Sequence, residues 1–231
     1  MQREEFTIEL VGACMGSTSA ILERPLQAER DPVILLAHGA GLGKSSPFME
    51  QIAVFLVQRG FAVMRFNYAY QEKKEETGGM RPPEKKPVLV ETHRAALRAL
   101  TERMPGRPVI FAGKSMGSRM GSYLAAEGAA CAGLIMFGYP LHPSAKPEKL
   151  RVEQFPELGM PALFLQGTRD KLADLDLLKL HLGDYAGVST LKIIDGADHD
   201  FKVLKSQNRS HDQVLAELAD LVVAWATRLK G

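Results

Sequence analysis

The sequence predicts an α/β chain, a mostly parallel sheet with helices on both faces. Three observations carry this. Short continuous apolar runs, among them Val33–Ala37, Phe61–Phe66 and Val109–Ala112, have the composition of strands buried on both sides. Segments with helical apolar spacing alternate with these runs, which implies right-handed crossovers. Several runs end in loops rich in glycine or carrying Ser, Asp or His, at the edge where open α/β sheets place their sites.

Taken in order, Phe6–Val11 alternates apolar and polar residues like a half-exposed strand, and Ser17–Leu22 follows Gly16 as its hairpin partner. Val33–Ala37 is a buried strand, and the glycine-rich loop His38–Pro47 follows it. Phe48, Ile52, Phe55 and Leu56 form the apolar stripe of a helix that Gly60 closes; Phe61–Phe66 is the next strand. Gln71–Pro87 is charged, carries Gly78-Gly79 and Pro82-Pro83, and reads as a long mobile surface loop. Val88–Met104 is a helix that Pro105-Gly106 ends. Val109–Ala112 is a strand, with a helix following at once. Leu134–Phe137 is a strand leading into a proline-punctuated stretch with at most one short helix. Ala162–Leu165 is a strand, Leu175–Leu182 a helix, Leu191–Ile194 a strand, and a terminal helix spans about 212–228. No repeat or linker divides the chain, so residues 1–231 read as one domain.

Bulk properties exclude several function classes. The 231 residues are 45% hydrophobic and 24% charged, enough for a sizeable core. With 29 basic and 27 acidic residues the net charge is +2, so neither nucleic acid nor an anionic membrane is an electrostatically favoured partner. No apolar run approaches the roughly 20 residues of a membrane span. The opening M-Q-R-E-E-F lacks the apolar core of a signal peptide, and Cys14 and Cys131 show no C-x-x-C spacing. A reduced, cytoplasmic setting is expected. No His, Cys or carboxylate cluster has metal-ligand spacing, and no cofactor is expected. The stretch 39–45, G-A-G-L-G-K-S, approaches a phosphate-binding loop but has His38 where that motif needs its first glycine.

Chemistry concentrates in 108–118, P-V-I-F-A-G-K-S-M-G-S. Strand, G-x-S-x-G and helix in direct succession form the context of a nucleophile elbow, which strains a serine into exposure beside helix N–H groups. Ser115 is the nucleophile candidate. A serine needs a base, and the base an orienting acid. Asp170 lies just past the strand Ala162–Leu165, and His199 in the loop one strand later. The order Ser, acid, His fits the elbow arrangement, and all three fall at one sheet edge. Asp170 outweighs Asp174 and Asp195 by position, and Asp198 and Asp200 read as solvated or capping. Among the histidines, His142 competes for a place in the pocket, His38 reads as a brace of its loop, and His93, His181 and His211 lie on predicted helices. An oxyanion hole would use the N–H of Met116 and that of Ala40, with Gly41 as fallback. Gly39 and Gly41 would let substrate approach the backbone closely. Asn67, Tyr68, Tyr70, Tyr139, Leu141 and His142 are expected to rim an open pocket. The competing role for Ser115 is a simple helix cap.

H-G-A-G at 38–41, G-K-S-M-G at 113–117, G-T-R-D at 167–170 and D-H-D-F at 198–201 stand in the order found in α/β-hydrolases, and the chain resembles that superfamily over nearly its whole length. Within it the chain is similar to the small, capless dienelactone-hydrolase-like group. G-K-S-M-G-S and F-G-Y-P-L-H-P look closest to the testis-expressed hydrolase-like proteins, their bacterial relatives and a hydrolase-like subunit of a histone-acetyltransferase complex. The resemblance implies an α/β-hydrolase fold with an eight-stranded sheet, an antiparallel second strand and no cap domain. It also implies a triad of Ser115, Asp170 and His199. Dienelactone hydrolases use a cysteine nucleophile where this chain has Ser115, so their chemistry does not transfer. The expected activity is a serine hydrolase acting on small-molecule carboxylic esters or thioesters through an acyl-enzyme. The alternatives are a non-catalytic interaction module of the same fold and an acyltransferase or perhydrolase using the same residues.

Overall fold

A computed structural model describes residues 1–27 and 29–229. Its sheet has eight strands: β1 (Gln2–Glu9), β2 (Ser17–Arg24), β3 (Arg30–Ala37), β4 (Phe61–Phe66), β5 (Val109–Lys114), β6 (Gly133–Phe137), β7 (Ala162–Gly167) and β8 (Ser189–Ile194), in the spatial order β1-β2-β4-β3-β5-β6-β7-β8. β2 runs antiparallel to both β1 and β4, and every pairing from β4 to β8 is parallel. The expected eight-stranded, mostly parallel sheet with an antiparallel second strand is therefore present.

The apolar runs resolve into two cores because side chains alternate along a strand. On one face Leu35, Phe111, Met136 and Phe164 pack beneath α3 (Lys86–Arg103) and α4 (Met116–Ala126). On the other, Leu36, Ile110, Ile135 and Leu163 pack with α1 (Pro47–Gln58) and α6 (His211–Ala226). Each fully buried Leu, Ile or Phe contributes about 1.5–3 kcal/mol relative to exposure, so the central strands hold the frame on which the rim loops sit. The N-terminus of α6 is secured by a capping box between Ser210 and Gln213. Between β6 and β7 the only helical element among the described residues is a short 3₁₀ turn, Phe155–Glu157, and no cap stands over the sheet.

The segment expected to be a mobile loop is different. Residues Ala69–Thr77 form a helix, α2, separated from the end of β4 by only Asn67 and Tyr68. Its composition, Q-E-K-K-E-E, is rich in good helix formers but shows no apolar stripe. Only Ala69, Tyr70 and Gln71 are buried. Glu72 fastens the helix to β2, accepting from Ser19 Oγ at 2.8 Å and Thr18 Oγ1 at 3.2 Å. Gly78, at φ 72°, ends it in a conformation that suits glycine. The remaining loop is 78–85.

Candidate active site

Four strands deliver the candidate residues to one rim. β3 leads into the loop beginning at His38, β5 into Ser115, β7 into the loop holding Asp170, and β8 into the loop holding His199. The two glycines of the G-x-S-x-G stretch have measurable reasons. A Cβ on Gly113 would lie 2.2 Å from Ser118 N, and one on Gly117 would lie 2.3 Å from the Ala37 carbonyl oxygen. Strand, helix and neighbouring strand approach so closely that only glycine fits. Between them Ser115 takes φ 52°, ψ −114°, a strained conformation for a non-glycine residue. Its hydroxyl makes no capping bond to α4, which disposes of the helix-cap role.

The hydroxyl instead meets His199. Nε2 of His199 lies 2.8 Å from Ser115 Oγ, and Nδ1 lies 2.7 Å from Asp170 Oδ2. Asp170's side chain is fully buried, whereas His199's is 25% exposed. A buried carboxylate needs partners. Asp170 has three donors: His199, Gln166 Nε2 at 2.5 Å on Oδ2, and the Leu172 N–H at 2.8 Å on Oδ1. With the carboxylate accepting from Nδ1–H, Nε2 is left as the acceptor facing the serine. The His199 loop is itself braced by Asp198, whose Oδ1 accepts from the N–H groups of Asp200 and Lys202. Asp174 caps α5 (Leu175–His181), and Asp195 accepts from Gln207, so neither competes for the imidazole.

The loop after β3 is held by side chains from behind. His38 Nε2 accepts from the Tyr68 N–H at 3.0 Å, so Nδ1 carries the proton and donates to the Gly39 carbonyl at 2.7 Å. Burial pushes the His38 pKa down to about 4, which keeps this brace neutral. Tyr70 Oη donates to the carbonyl of Ala40 at 3.0 Å and lies 3.3 Å from that of Gly39. With these carbonyls held, the Ala40 N–H donates to no protein acceptor among the described residues, nor does the Met116 N–H at the first turn of α4. Both residues line a cavity with Ser115.

The open cleft divides at Ser115. One lobe, about 430 Å³, runs over α4 and is lined by Arg119, Met120, Leu89, Pro140 and Arg151 among others. The other, about 370 Å³, contains Gly39, Gly41, Leu42, Phe48, Met49 and His199. Ala40, Ser115 and Leu172 belong to both.

Most of the expected rim lies elsewhere. Asn67, Tyr68, Tyr70, Tyr139, Leu141 and His142 are all buried, and none lines either lobe. Asn67 gives its amide to structure: Oδ1 accepts from the Lys44 N–H at 2.8 Å, and Nδ2 donates to Glu72 and Glu75. Tyr68 sits against Phe66 and His93. Tyr139 Oη donates to the Arg151 carbonyl at 2.5 Å and is 2.8 Å from Gln154 Nε2. His142 Nε2 accepts from the Asp174 N–H at 3.0 Å, tying the β6–β7 connection to the acid loop. These residues follow strand ends but turn inward to support the loops that carry the site. Sequence reasoning missed Gln166, Phe48, Leu42, Arg119 and Arg151. Only Arg119 had a local signal: four residues after Ser115 on a helix, it rises over the same face.

Residues 30–227 match the alpha/beta hydrolase domain family. The fold is similar to three solved structures. A dienelactone hydrolase from Anabaena variabilis superposes with TM-score 0.74 at 22% identity, covering 100% of both chains. An alpha-beta serine hydrolase homologue from Coxiella burnetii gives 0.73 at 20%, covering 97% of each. The esterase domain of a Rhodothermus marinus protein gives 0.73 at 18%, covering 100% of both. With its sheet order and the match to residues 30–227, the chain belongs to the alpha/beta hydrolase domain family.

Proposed function

We propose that this hydrolase-fold protein is a serine hydrolase that cleaves carboxylic ester or thioester bonds in small molecules. The observation that carries the reading is the unbroken hydrogen-bonded chain Ser115–His199–Asp170, with distances of 2.8 and 2.7 Å. In this mechanism His199 Nε2 removes the Ser115 proton as Oγ attacks the carbonyl carbon. Asp170 holds the imidazole tautomer and stabilises the imidazolium. The N–H groups of Ala40 and Met116 receive the oxyanion of the tetrahedral intermediate, a role worth about 10²–10³ in rate per donor. Collapse of the intermediate expels the alcohol or thiol, to which His199 returns the proton. Water then repeats the cycle on the acyl-Ser115 ester. Glycines at 39 and 41 leave room for the acyl carbonyl. Within the family, the G-K-S-M-G-S and F-G-Y-P-L-H-P stretches support a relationship to the testis-expressed hydrolase-like proteins and the histone-acetyltransferase-complex subunit. No described helix is long and apolar enough to cross a membrane.

Treatment with a fluorophosphonate probe, alongside p-nitrophenyl acetate hydrolysis, tests the reading. Wild-type protein is expected to label and turn over, and Ser115→Ala to do neither. Absence of both in folded wild-type protein would sink the proposal in favour of an interaction module.

A further inference from the structure

The larger lobe of the cleft carries an excess of positive charge that the triad chemistry does not use. Lys86, Arg119 and Arg151 line it with Ser115, against one carboxylate, Glu84. None of the three cations forms an ion pair among the described residues. Arg119 Nε is buried without any hydrogen-bond partner, a costly state for a guanidinium unless a ligand completes it. Arg151 is built into place: its N–H donates to the Leu141 carbonyl at 2.9 Å, its own carbonyl accepts from Tyr139 Oη at 2.5 Å, and Nη1 donates to the Pro140 carbonyl at 3.2 Å. Burial, and next the charge of Arg119, lower its pKa, as expected of like charges sharing a pocket. Glu84 Oε1 accepts from the Cys14 N–H at 2.8 Å, and its Oε2 is buried without a hydrogen-bond partner, so it offsets one of the three positive charges.

The lobes also divide the two halves of an ester. The general acid must reach the leaving-group oxygen, and His199 lines the smaller lobe but not the larger. The leaving group therefore belongs in the smaller lobe and the acyl group in the larger.

We infer that the acyl group of the substrate ends in an oxyanion, a carboxylate or a phosphate, which Arg119 and Arg151 bind with Lys86 adding to the field. This rests on the hydrolase reading above and narrows it to half-esters or half-thioesters of diacids.

The test compares kcat/KM for mono-p-nitrophenyl glutarate and p-nitrophenyl 4-phosphonobutanoate with that for neutral p-nitrophenyl pentanoate. Because the readout is a ratio, general losses of activity cancel. Wild-type protein is expected to favour one of the anionic esters, and which one it favours identifies the oxyanion. Arg119→Gln and Arg151→Gln should each lower that ratio about 10- to 100-fold, the range for a hydrogen bond to a charged group. If either variant fails to fold, wild-type protein still decides, since the ratio should fall as salt rises to about 0.5 M. Ser115-dependent turnover with no anionic preference, or a ratio that neither variant nor salt moves, would overturn the inference and leave the hydrolase reading intact. No Ser115-dependent turnover of any ester overturns both.

Discussion

Replacing Asp170 by asparagine probes the proposed relay with a nearly isosteric change. The carboxylate now accepts from three donors, two on Oδ2 (His199 and Gln166) and one on Oδ1 (Leu172 N–H). An amide can place its NH₂ at either position, and in both a donor meets a donor. With NH₂ at the Oδ1 site, the Leu172 N–H loses its acceptor, and the imidazolium loses its counter-charge. With NH₂ at the Oδ2 site, the bond from Gln166 is lost and the bond to His199 reverses, so that Nδ1 accepts and the ring carries its proton on Nε2, where it cannot take one from Ser115. One or two hydrogen bonds to a charged group, at about 1.5–3 kcal/mol each, correspond to roughly 3–6 kcal/mol once the counter-charge is included. At about 1.4 kcal/mol per decade this is a loss of roughly 10²–10⁴ in kcat/KM. The assay is p-nitrophenyl ester hydrolysis, with circular dichroism to establish folding and the rate of fluorophosphonate labelling as a second readout of Ser115 nucleophilicity. Asp170→Asn protein that is folded and within tenfold of wild type in both would show that Asp170 does not orient His199 in turnover.

Tyr70→Phe removes the hydroxyl that holds the Ala40 and Gly39 carbonyls. It should lower kcat by about tenfold, around 1.4 kcal/mol of transition-state stabilisation, with little change in KM; a change confined to KM would refute the bracing role. Gly117→Ala would bring a Cβ to 2.3 Å from the Ala37 carbonyl oxygen, and overpacking of this kind costs at least about 1–3 kcal/mol. Thermal unfolding should show the midpoint falling by several degrees, and an unshifted midpoint would mean the elbow tolerates expansion. His38 and His93 are held neutral by burial, with pKa values lowered from 6.5 to about 4 and about 3. The unfolded chain therefore takes up their protons first. Their stabilisation is complete above about pH 6.5 and is lost as pH falls toward 4 and then 3, at up to about 1.4 kcal/mol per pH unit for each. Urea midpoints measured from pH 7 to pH 4.5 should decline accordingly, and His93→Gln should flatten the slope; an unchanged slope would refute the assignment.

How far the site could be read from the chain depends on what kind of signal each part leaves. The elbow was legible because its constraints are local. Gly113 and Gly117 must be glycine for lack of space, and their two-sided spacing around Ser115 writes that geometry into five consecutive residues. Asp170 and His199 were legible at one remove, since each follows an apolar run whose end must lie at a single sheet edge. α2 was not, because its attachment is polar: Glu72 to Ser19 and Asn67 to Glu75 leave no apolar period to detect. The expected rim failed for a related reason. A tyrosine or histidine just past a strand end looks the same in sequence whether it faces substrate or supports the backbone of the next loop. Tyr139 and His142 do the second through side-chain bonds to loop backbone, and Tyr68 does it through its own N–H, which donates to the His38 ring. The residues that do line the larger lobe, Lys86, Arg119 and Arg151, come from two helices and the β6–β7 connection. Each alone is an ordinary surface cation. Their meaning arises only from convergence on one cavity where they outnumber its single lining carboxylate, Glu84, a property of the folded chain that no window of sequence contains.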